Sequence, residues 1–131
     1  MCPLKRGKLN SMNGPDVRGA WLKMREEVSA RAIANKQSHE AVLAMAARYR
    51  SLSDSDRATV DELLAEQLIS EHETVRFDAI ALVADFKITS ALPALRRLAG
   101  WLESQQFAGA PYEWAKANRV IGQLVMASEG Q

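Results

Sequence analysis

Residues 73 to 98 read Glu-Thr-Val-Arg-Phe-Asp-Ala-Ile-Ala-Leu-Val-Ala-Asp-Phe-Lys-Ile-Thr-Ser-Ala-Leu-Pro-Ala-Leu-Arg-Arg-Leu, and this stretch decides the fold class. From Val75 to Phe86 only Arg76, Asp78 and Asp85 interrupt an apolar run, so the segment is buried on most of its circumference. Its length and its alanines favour a helix over a buried strand, which is usually shorter and richer in β-branched residues. Thr74 is placed to cap the first turn through its hydroxyl. Leu92, Leu95, Leu98, Ala99 and Leu102 then recur at steps of three and four, which predicts a second amphipathic helix. Ser90 is its expected cap, and Pro93 falls in the first turn, where a missing amide hydrogen costs little. Only Lys87, Ile88 and Thr89 are left for the corner, so the two helices double back and pack as neighbours.

The run Glu73, Val75, Arg76, Ala79 and Ile80, followed by Ile88 and by Ala91-Leu92-Pro93-Ala94-Leu95, resembles a HEAT or armadillo-type repeat. The resemblance covers roughly residues 53 to 103. It implies that the Val-Arg pair opens the second helix of one unit and the Ala-Leu-Pro-Ala-Leu run the first helix of the next. It also implies that Arg76 and Asp78 are structural residues pairing with neighbouring turns. Repeats of this kind run about 40 to 47 residues and about three are normally needed for stability, so this chain reads as a helical domain with a HEAT-like centre.

A chain of 131 residues with 47% apolar and 25% charged residues has the composition of an ordinary soluble domain with one core. No apolar run is long enough to span a bilayer and the N-terminus lacks the apolar core of a secretory signal, which makes the cytoplasm the expected location. The lone Cys2 has no internal disulfide partner and no nearby histidine to activate it. Net charge is +1, yet residues 1–50 carry ten Lys or Arg against four Asp or Glu, and residues 51–131 carry seven against twelve. The two halves therefore either face different partners or neutralise each other in the fold or across a dimer.

Residues 1–14 show no period and contain Pro, Gly and Asn, so they read as a flexible basic tail, with translation starting at Met1 or at Met12. A single helical domain is expected over 15–128. Its first helix begins near Pro15 and Asp16 with the stripe Val17, Trp21, Met24 and Val28, which makes Trp21 a core residue. Ser38 caps a second helix facing inward through Val42, Met45, Ala46 and Tyr49; His39, in its first turn, should be exposed. Ser53-Asp54-Ser55-Asp56 is the clearest start signal, offering hydroxyl caps and carboxylates to a helix N-terminus. The helix it opens buries Val60, Leu63, Leu64, Gln67 and Leu68. After Leu102 the period is lost until Pro111, and Trp114, Ala117, Ile121, Leu124 and Val125 then mark a terminal helix. Gly122 within it suggests a close helix crossing.

Two surfaces emerge. Between Asp54 and Glu73 stand seven acidic residues and one basic one, Arg57; Asp54, Asp56, Asp61, Glu62 and Glu66 form an acidic face suited to a partner's cationic site, or simply a solvated one. Trp101, Phe107, Tyr112 and Trp114 cluster around the last connection, either lining a groove or seating the loop on the core. No catalytic motif, phosphate loop or metal-ligand spacing occurs: Glu71-His72-Glu73 diverge on a helix end, and no His-Glu-x-x-His run exists. Glu62 with Glu66, and Asp78 with Asp85, share helix faces without the Glu-x-x-His motifs of a di-metal bundle.

The expectation is thus an all-α fold of about six helices packed as antiparallel pairs, HEAT-like in the middle, without cofactor or metal. Its function is expected to be non-enzymatic recognition of another protein with a basic surface, in the manner of an inhibitory or toxin-neutralising protein. Self-association and no membrane contact fit the same picture. The alternatives are a nucleic-acid binder using Lys5, Arg6, Lys8, Arg18, Lys23 and Arg25, and a small enzyme with a carboxylate site.

Overall fold

The computed structural model describes residues 14–37 and 39–129, and the readings of the tail with Lys5, Arg6 and Lys8, and of Ser38 as a cap, lie outside them. Among the described residues the chain is all-α, with no strand. The described residues form six α-helices, α1 (Gly14–Ala34), α2 (His39–Ser51), α3 (Asp54–Gln67), α4 (Glu73–Phe86), α5 (Leu92–Glu103) and α6 (Ala110–Glu129); a 3-10 turn, Thr89–Ala91, precedes α5. Packing divides them into two compact units, the first ending at Val60 and the second starting at Asp61.

In the first unit α1 and α2 pack on each other. Val17, Trp21, Val28 and Ala32 of α1 are buried, as are Ala41, Met45, Ala46 and Tyr49 of α2; Met24 and Val42 of the expected stripes are only half-buried, and Trp21 is a core residue at 3% exposure. The connection closes α1 without a glycine. Gln37 donates to the carbonyl of Ala32 and Lys36 to that of Ile33, with Lys36 at φ 58° in the left-handed region, the pattern of a Schellman cap. The Ser53 hydroxyl accepts the amide of Asp56 at 3.2 Å, as its cap position requires. Arg57, the single base of the acidic stretch, spends its donors on the end of α2, bonding the carbonyls of Tyr49 at 3.2 Å and Arg50 at 2.8 Å.

In the second unit α5 and α6 form the main contact, and α6 also packs on α4 and on the 3-10 turn. Leu63, Leu64 and Gln67 of α3, Leu68 just after it, Ile80, Leu82 and Val83 of α4, and Leu95, Leu98 and Leu102 of α5 are all buried, on the predicted faces. The corner falls at Lys87 to Thr89. Lys87 sits at φ 51° and donates to Val83, Ile88 donates to the same carbonyl, and the Ile88 side chain is buried beside it.

Four local expectations are corrected. His72, not Thr74, is the N-cap of α4, and it makes no side-chain cap bond; its carbonyl instead accepts the amide of Arg76. Ser90 lies within the 3-10 turn, and Ala91 occupies the cap position of α5. The inward stripe of α6 is Ala110, Glu113, Ala117, Val120 and Leu124, leaving Trp114 exposed and Ile121 and Val125 half-buried. It is turned from the expected register because a carboxylate occupies one of its buried positions. Gly122 meets nothing within 4 Å of where a Cβ would stand, so it marks no close crossing.

Candidate functional site

The second unit is centred on an ion pair. Arg76, in the first turn of α4, is 3% exposed, and Glu113, in the first turn of α6, is fully buried. Arg76 Nη2 donates to Glu113 Oε1 at 2.9 Å while Nε donates to Oε2, a two-pronged geometry in which both carboxylate oxygens are satisfied. The third direction is filled as well, since Nη1 donates to the carbonyl of Ser70 at 3.0 Å. The hydrogen bond to Glu113 and the charges of Glu113 and Glu73 hold the guanidinium pKa above its ordinary value, against the opposing effect of burial.

Two of the four aromatic residues converge on this pair. The guanidinium carbon lies 5.2 Å from the centre of the Trp101 ring and 5.8 Å from that of Phe107. The two rings are 6.1 Å apart and tilted by 40°. Such distances are those of cation–π contact. The outer parts of both rings remain in solvent, at 43% and 37% exposure. The other two aromatics do not join them. Tyr112 and Trp114 flank Glu113 and, at about 100° per residue, leave the α6 axis in divergent directions; Trp114 turns its indole N–H toward Glu103 at 3.4 Å, and Tyr112 is 65% exposed.

Beside Trp101 opens a cavity of about 320 Å³, lined by Ile69, Ser70 and Glu71 of the α3–α4 connection and by Arg97, Leu98 and Trp101 of α5. Ile69 is 49% exposed. A wider concavity lies along the C-terminal parts of α4 and α6, where Ala81, Ala84, Asp85, Lys87, Gln123, Met126 and Ala127 form a shallow open trough.

The acidic residues fall in both units. Asp54 and Asp56 belong to the first, where Asp54 stands 4.0 Å from Arg57 and Asp56 is half-buried. Asp61, Glu62 and Glu66 belong to the second; Asp61 and Glu66 already have interaction partners, whereas Glu62 is exposed. Of the α1 cations, Arg18 and Arg25 also have partners within the fold, and Lys23 is exposed. Among the described residues no three His, Cys, Asp or Glu side chains group to hold a metal ion, and no helix is long and apolar enough to cross a membrane.

The element that sequence reasoning missed is Glu113. Its signal was present, since it keeps step with Ala110, Ala117, Val120 and Leu124, and a lone arginine in an apolar helix demands a carboxylate. Which carboxylate would answer Arg76 was not readable, because the pair spans 37 residues. No known protein family, no curated protein and no solved structure matches the chain.

Proposed function

We propose that the chain is a non-enzymatic protein-binding module whose recognition surface is centred on Trp101 and Phe107. The observation that supports this is the clamping of two exposed aromatic rings over a buried, fully bonded Arg76–Glu113 pair, next to a cavity lined in part by Leu98 and the exposed Ile69. Large exposed apolar side chains gathered in one place mark interaction sites, and Trp is enriched where binding energy concentrates. Rings held in advance lose little freedom when a partner closes over them.

On the same reading α4 and α5 take HEAT-like geometry, in which stacked helices offer surface and no inherent chemistry. Glu62 and the neighbouring carboxylates steer the approach of a basic partner, as in an inhibitory or neutralising protein of the cytoplasm.

The test is affinity capture from the native source with wild type, Ile69→Glu and Glu62→Lys as baits. A protein held by wild type should be lost with Ile69→Glu, and with Glu62→Lys it should be recovered more weakly and with less dependence on salt. Capture of the same protein, undiminished, by Ile69→Glu sinks the proposal.

A further inference from the structure

We infer that the cavity beside Trp101 is a binding site for a free, apolar α-amino acid, recognised through both of its charges. This goes beyond the protein-binding reading and does not rest on it.

Size comes first. About 320 Å³ is at the small end of ligand cavities, and a helix of diameter 10–12 Å does not enter a space of that volume. The cavity takes one residue-sized ligand. Its walls are apolar on three sides, Ile69, Leu98 and Trp101, so the ligand carries an apolar body. Leu98 is buried and forms part of a fixed floor. The Trp101 wall is also held in place, because Arg76, bonded to Glu113 and to the Ser70 carbonyl, stacks against the indole.

Charge then decides the class. The residues lining the cavity include one acid, Glu71, and one base, Arg97, both exposed. Neither side chain is bonded to the other, and neither has a partner among the described residues. Two opposite charges that share one small cavity without pairing are complementary to a dipolar ligand, with Arg97 for a carboxylate and Glu71 for an ammonium. A residue inside a peptide carries neither charge, and a chain terminus carries one. A free amino acid carries both, and the apolar walls select one with an aliphatic or aromatic side chain.

The experiment is isothermal titration of the full chain with L-leucine and L-phenylalanine, and with their N-acetyl and carboxamide derivatives. Binding is expected for the free amino acids, weakened about tenfold or more by removal of either ligand charge and by Glu71→Gln or Arg97→Gln. Both substituted residues are exposed, and unchanged circular dichroism of each variant certifies its fold. Absence of binding by every free amino acid overturns the inference. Equal binding of the N-acetyl form or of the carboxamide overturns it as well, by assigning the cavity to a chain terminus of a partner. Binding indifferent to both substitutions places the ligand elsewhere and overturns it too.

Discussion

At the scale of the residue, Arg76 and Glu113 are opposite charges withdrawn from water, and each is tolerable only because the other is there. Removing one leaves a buried charge uncompensated, and Arg76→Met is expected to destabilise the fold by about 3 to 5 kcal/mol in urea unfolding. The double variant Arg76→Met, Glu113→Leu restores packing without charge and should recover most of that loss. A double variant as unstable as the sum of the singles would show that the two side chains are not coupled, and would contradict the pairing. The pH dependence follows from the raised pKa of Arg76. A group whose folded pKa is raised contributes stability that is fully present below its unfolded pKa and lost only as pH rises through the folded one. For an arginine that window lies beyond working conditions, so the penalty of the double variant Arg76→Met, Glu113→Leu, which leaves no buried charge unpaired, should stay level from about pH 6 to about pH 9. A penalty that shrank steadily across that range would contradict the assignment.

At the scale of the element, the helices carry local choices that substitution can improve. Gly122 stands exposed within α6 with open space at its Cβ position, so Gly122→Ala should stabilise by about 0.5 to 1 kcal/mol, read as a rise in melting temperature. Lys87 holds the left-handed position that ends α4, and Lys87→Gly should relieve about 1 kcal/mol of backbone strain. The Ser53 hydroxyl caps α3, and Ser53→Ala should cost about 1 kcal/mol. Helix existence and most buried faces were legible because they rest on periodicity: Val60 to Leu68 and Leu92 to Leu102 announce their inward sides by spacing alone. Caps were less legible. His72 and Ala91 occupy cap positions without cap chemistry, and the serine and threonine nearby drew attention away from them. The register of α6 was read from apolar residues only, which excluded Glu113 from the core that it helps to fill.

At the scale of the whole molecule, the candidate surface follows from long-range order. The sequence brought Trp101, Phe107, Tyr112 and Trp114 together as neighbours along the chain, and the fold keeps two of them at one place and sends the other two apart. What separates the pairs is Arg76, which draws Trp101 and Phe107 over its guanidinium from 25 and 31 positions away in the sequence. No local pattern encodes such a meeting. The acidic run was legible by counting, but the partners already held by Asp61 and Glu66 were not, since they depend on side-chain placement.

The most direct test of the recognition surface is photo-crosslinking in the native cell from a benzoylphenylalanine placed at position 107, with the same photoreactive residue at position 126 as reference. Met126 is 73% exposed in the trough of α4 and α6, away from the Arg76 cluster, and reports on accidental encounters. The account predicts a discrete protein adduct from position 107 that position 126 does not form. Identical adducts from both positions, or none from position 107, would contradict it.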